Sequence, residues 1–157
     1  MKRQKYIEGN YFLIPLNNGK YQLGRIIQEP IMVIYDKQFI SDIKVNLSNT
    51  ENLSILFALP IAKGCITSGV FTIVGNKTVE KDEIEKLPPQ FDQDLIDFND
   101  CTLVYLDGRE VSVSPIDCIG LEALGSWDAE HVIERIENYY DGIPNVSFEL
   151  SKVKIPS

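Results

Sequence analysis

Histidine is almost absent from this 157-residue chain, His131 being the only one. Cys65, Cys101 and Cys118 are odd in number and widely spaced, with no CxxC pair, so the usual zinc-ligand sets are missing. The three thiols read as small buried apolar residues. GxGxxG and GxxxxGK[ST] are absent too, which removes the phosphate-cradling loops of nucleotide-binding proteins. No metal and no cofactor is expected. No apolar run approaches the roughly 18 residues of a membrane span, the longest candidate being LSILFALPIA at 53–62. The start, MKRQKYIEGNYFLIPL, is basic, but its apolar part is short, is broken by Asn10 and Pro15, and lacks a small-residue cleavage pattern. A soluble cytoplasmic protein is the expectation, and the sequons at Asn46, Asn52, Asn76 and Asn145 then carry no meaning.

Bases are also in short supply, with 15 lysines and arginines against 23 acids, a net charge of −8 and a pI near 4.6. Such a surface repels a phosphate backbone, so direct nucleic-acid binding is not expected. A basic protein is the better electrostatic partner. What the chain does have is a hydrophobic fraction of 44%, enough for a packed core in a chain of this length.

That hydrophobicity is organised with period two over the first three-quarters of the chain. Tyr11 and Leu13 alternate with Phe12 and Ile14 to give a strand apolar on both faces, and Asn17-Asn18-Gly19 supplies a tight turn. Tyr21, Leu23, Arg25 and Ile27 continue as the second arm of a hairpin. IMVIY at 31–35, SILFALPIA and VFTIVG at 70–75 read as further strands, separated by a polar surface loop at 41–53. CTLVYL and EVSVS flank Asp107-Gly108, a two-residue hairpin signal. SWDAEHVIERIENYYDG then changes to helical spacing, with Ser126 as the expected N-cap and Gly142 as the C-terminal cap. NVSFELSKVKI at 145–155 reads as a last strand. The expectation is one α+β domain over 1–157, with a mainly antiparallel sheet of about seven or eight strands and one main C-terminal helix.

Residues 80–100 differ from everything before them. Eight acids, among them Glu83, Glu85, Asp92, Asp94, Asp97 and Asp100, face only Lys81 and Lys86, leaving a local charge of −6. Pro88-Pro89 excludes a helix through the middle and favours an extended, solvated loop. The DxD at 92–94 lacks the glycine and glutamate of a calcium loop. A solvated acidic face, a protein-binding face and an acid-base site are the alternatives these residues leave open. His131 has no evident partner for nucleophilic catalysis. Arg25 is a lone cation on a strand, more often an internal ion-pair partner than an anion site, and Trp127 suits core packing or an interface rim.

The opening residues also carry a family pattern. Gly9, Phe12, Ile14, Pro15, Leu16, Gly19, Tyr21, Gly24, Arg25, Ile26 and Ile27 resemble the start of the bacterial immunity protein 26 family, with Asn10 where that family tends to carry an acid. Trp127, Glu134, Arg135 and Ile136 add a weaker likeness late in the chain. The resemblance implies a non-catalytic cytoplasmic inhibitor that binds the C-terminal domain of a toxin encoded beside it, a domain that is basic if it is a nuclease. It makes Glu83, Glu85, Asp92, Asp94, Asp97, Asp100, Tyr21, Arg25 and Trp127 the candidates for contact with that toxin. The rival readings are a protein-binding or assembly module unrelated to toxins, and an enzyme built on Asp and Arg side chains.

Overall fold

The computed structural model describes residues 1–157 and contains eight strands in two antiparallel sheets. The first hairpin joins β1 (Asn10–Pro15) to β2 (Tyr21–Gln28) through the expected turn, in which Gly19 has φ 84°. Glu29 and Pro30, linked by a cis peptide bond, lead into β3 (Ile31–Phe39). With β4 (Ile55–Pro60) and β5 (Thr72–Asn76) these strands form a five-stranded sheet in the order β4-β3-β2-β1-β5. The short helix α1 (Gly64–Thr67) connects β4 to β5.

Both faces of this sheet are covered, which is why β1 to β3 read as nearly continuous apolar runs. On one face Phe12, Ile14, Ile26, Met32 and Ile34 pack against Val132 and Ile136 of α3 (Ala129–Asp141). On the other, Tyr11, Leu13, Leu23, Val33 and Tyr35 are covered by irregular chain around Val45 to Leu53 and by Val79, Ile84 and Leu87. Phe12 stands opposite Gly24 in the hairpin register and stacks on Phe71 with ring centroids 5.5 Å apart. A Cβ on Gly24 would lie 2.4 Å from the Phe12 ring, so only glycine lets that ring cross the sheet.

The region 80–100 is more structured than its composition suggests. Glu80 and Glu83 form a reciprocal capping box that starts α2 (Lys81–Glu85), and Pro88-Pro89 end it before β6 (Gln90–Gln93). A fully extended solvated loop is therefore the wrong reading of 80–93, because the prolines separate two elements instead of preventing them. β6, β7 (Cys101–Val104) and β8 (Glu110–Val113) form the second sheet around Phe91, Cys101 and Cys118. All three cysteines are buried and free.

Two further corrections concern the C-terminal part. The N-cap of α3 is Asp128, whose carboxylate accepts from the His131 N–H, and not Ser126. Residues 146–151 are a helix, α4 (Val146–Ser151), and not a strand. Asn145 caps it by accepting from the Phe148 N–H at 2.9 Å, and Val146 and Leu150 then share one exposed face four residues apart. The apolar alternation of Val146, Phe148 and Leu150 fits either period over so short a stretch, and the cap decides between them.

The connector between the second sheet and α3 ties both sheets together. Phe91 donates to the Glu122 carbonyl and accepts from Leu124, which adds this segment to β6. Trp127 then donates to the Pro60 carbonyl at 2.7 Å and accepts from Ala62 at 2.8 Å, at the end of β4. Helix α3 starts directly after this second attachment.

Candidate functional site

The acidic region has two halves that do different work. In the first, Glu83 is committed to the scaffold. Arg25, 1% exposed, donates to Glu83 at 2.7 Å and to the carbonyls of Lys77 and Thr78 at 2.6 and 3.2 Å, with its guanidinium 4.9 Å from the Tyr11 ring centroid. One arginine thus pins residues 77–83 across the second face of the sheet. Arg25 is an internal ion-pair partner and offers a toxin no contact surface. Burial pushes the Tyr35 phenol up to about 12, against the opposing pull of the nearby Arg25.

Burial acts to raise the Glu83 carboxyl, but the Glu80 N–H and the Arg25 guanidinium outweigh it and hold the group below the ordinary carboxylate value. A depressed folded-state pKa contributes stability above the unfolded value of about 4.5 and loses it as pH falls toward the folded one. The expected result is a wild-type melting temperature that drops on acidification below pH 4.5, with a smaller drop in Glu83→Gln. Equal drops in both proteins, followed by circular dichroism, would count against the pair.

The second half is free of basic residues. Asp92, Asp94, Asp97 and Asp100 lie in a stretch, 87–100, that has no lysine or arginine. The β6–β7 turn that carries three of them is tightly bonded. Asp94 donates to the Asp100 carbonyl at 2.9 Å and Asp100 to the Asp97 carbonyl at 3.0 Å. The Asp94 and Asp97 carboxylates accept from the Asp97 and Asn99 N–H groups. Gln93 donates to the carbonyls of Phe98 and Lys154 and accepts from the Lys154 N–H, clamping the turn to the chain after α4. Leu95 and Ile96 at its tip are 90% and 94% exposed.

Beside the turn lies a cavity of about 420 Å³ bordered by Asp92, Asp94, Leu95, Phe98, Leu124 and Leu150, with Lys152 and Lys154 also on its wall. A second, of about 370 Å³, adjoins it and shares Leu124 and Leu150, with Trp127 and His131 on its other side. The structure therefore gathers Asp92, Asp94 and Trp127 around two neighbouring hollows, with Asp97 and Asp100 on the same turn. Tyr21 and Glu83 belong to the covered second face instead, and Glu85 is exposed on α2, paired with Lys81. Leu95, Leu124 and Leu150 escape a reading based on charge and motifs, because an isolated exposed aliphatic carries no chemical signature.

Arg135 joins the elements next to these hollows and touches them through Trp127, which borders the second. It makes a two-pronged ion pair with Glu122 at 2.7 and 2.6 Å, and its guanidinium lies 4.4, 5.1 and 4.1 Å from the ring centroids of Phe57, Trp127 and Phe148. Strand β4, the connector, α3 and α4 all meet on that one side chain.

Residues 7–102 match the family model described as Immunity protein 26. The chain belongs to the immunity protein 26 family; it is an immunity protein, of the class that acts against a toxin. No curated protein and no solved structure matches it. The matched residues extend well past the opening hairpin to include the first sheet, α2, β6 and the acidic turn, while Trp127 and α3 lie beyond them. Several of the hairpin's family-pattern residues are structural. Gly24 admits the Phe12 ring and Arg25 pins 77–83, while Asn10, the departure from the pattern, accepts from the Asn76 side chain at 2.8 Å in a neutral pair across β1 and β5. No helix is long and apolar enough to cross a membrane.

Proposed function

We propose that this protein neutralises a cognate toxin by binding the toxin's C-terminal domain one to one in the cytoplasm, without chemistry of its own. The observation that carries this reading is the set of four aspartates, Asp92 on β6 and three on the ordered turn that follows, none of them ion-paired and outnumbering Lys152 and Lys154 at the hollow beside them. A cationic toxin cleft, such as a nuclease needs, is the complementary partner. Carboxylates there stand in for phosphate charge, and opposite potentials speed association. Arg25 and Arg135 are engaged in buried ion pairs and the three thiols are buried, which commits these groups to the scaffold.

Calorimetric titration of the full chain into the purified C-terminal toxin domain encoded beside its gene tests the reading. One-to-one binding in the nanomolar range, weakening as salt is raised, is expected. No heat of binding at micromolar concentrations would overturn it.

A further inference from the structure

We propose that the β6–β7 turn is the docking element and that its occupant is the toxin domain's cationic surface, with an apolar pocket receiving Leu95 and Ile96. This rests on the neutralisation reading above and adds which side chains hold the partner and which only attract it.

Two adjacent aliphatic side chains at 90% and 94% exposure are a solvation burden unless something covers them. Here they cap a turn fixed by backbone bonds between Asp94, Asp97 and Asp100 and by the Gln93 clamp. An ordered turn forfeits little conformational freedom when a partner closes over it, which is how a small apolar anchor comes to dominate affinity. Leu95 also borders the 420 Å³ hollow with Phe98, Leu124 and Leu150, so the apolar surface continues inward from the tip.

Charge selects the occupant. The turn and β6 present four aspartates, and of the two lysines that border the same hollow Lys152 is paired with Glu149 at 3.0 Å, so the patch keeps a net negative charge and a second copy of this chain, itself at −8, is the poorer match. A surface carrying lysine or arginine around an apolar pocket meets both requirements. Another strongly exposed aliphatic pair, Ile40 and Ile43, is flanked by Asp42 and by Lys37 and Lys44 and so has no such electrostatic preference. On α2, Glu83 is held by Arg25 and Glu85 by Lys81, which leaves that half of the acidic region outside the docking element.

Binding kinetics of the full chain on the immobilised toxin domain separate the two roles. Leu95→Ser with Ile96→Ser is expected to raise the dissociation rate constant at least about 30-fold with little change in association. Asp94→Asn with Asp97→Asn and Asp100→Asn keeps the side-chain oxygens that accept within the turn. It is expected to slow association about tenfold at low salt, a difference that disappears near 1 M salt, where the screening length is about 3 Å. Glu85→Gln should bind as wild type does. Hydrogen exchange on the wild-type complex should show protection of residues 94–100, a readout independent of any variant.

Wild-type binding that survives Leu95→Ser with Ile96→Ser unchanged, or a complex without protection at 94–100, overturns the docking element while leaving neutralisation standing. Failure of the wild-type chain to bind overturns both. A wild-type dimer that the same double substitution converts to monomer would make the tip a self-association face and also overturn the proposal.

Discussion

Replacing Arg25 by alanine is expected to destabilise the fold by about 3–5 kcal/mol, the range seen when one partner of a buried ion pair is removed. The guanidinium is 1% exposed, and its loss leaves the Glu83 carboxylate, 23% exposed, without its cation. It also strips the donor from the Lys77 and Thr78 carbonyls. Residues 77–87 cover the second face of the sheet through Val79, Ile84 and Leu87, so detaching them exposes apolar surface around Tyr11 and Val33 as well. Urea unfolding followed by far-ultraviolet circular dichroism measures the loss. Arg25→Met with Glu83→Leu should recover part of it, because apolar replacement of a whole buried pair is often near neutral. Full recovery is not expected, since the two carbonyls still lack a donor. A loss under about 1 kcal/mol in Arg25→Ala would mean that segment 77–83 is held by its apolar contacts alone.

Arg135→Ala is expected to cost a similar 3–5 kcal/mol, and for a related reason. Its two-pronged pair with Glu122 ties the connector to α3, and stacking against Phe57, Trp127 and Phe148 adds to the cation's stabilisation. The two arginines differ in what they protect. Arg25 secures the cover of one sheet face, whereas Arg135 secures the junction of β4, the connector, α3 and α4. Hydrogen exchange should therefore rise locally in α4 and the connector 122–127 of Arg135→Ala at temperatures where the first sheet stays protected. Arg135→Lys should fall between wild type and alanine, because an ammonium keeps the charge but cannot reproduce the planar fork. Uniform loss of protection across the molecule would show that Arg135 stabilises the whole fold and not this junction in particular.

The two arginines also separate what is local from what is not. The first hairpin and the strand after it were legible because each part is a local statement: alternation, a positive-φ glycine at the turn, and a β-branched run for β3. The same holds for the Asp107-Gly108 turn and for α3, with its 3.6-residue spacing and the glycine that ends it. Alternation at 145–155 was equally visible yet misleading, since three apolar residues at period two are also compatible with one and a half helical turns.

By itself the sequence determined an acidic, strand-rich α+β protein with a family-pattern hairpin and a concentration of carboxylates at 80–100, because composition and short-range periodicity need no partner from elsewhere in the chain. Only the tertiary structure decided which of those carboxylates are available. Glu83 is 58 residues from the arginine that claims it, while the aspartates at 92–100 make no ion pair, on and beside a turn clamped by Gln93 to the chain beyond α4. The placing of the connector and α4 depends on the connector pairing with both sheets and on Arg135 meeting Glu122 and three rings. These are contacts between residues brought together by the whole fold, and no local pattern encodes them.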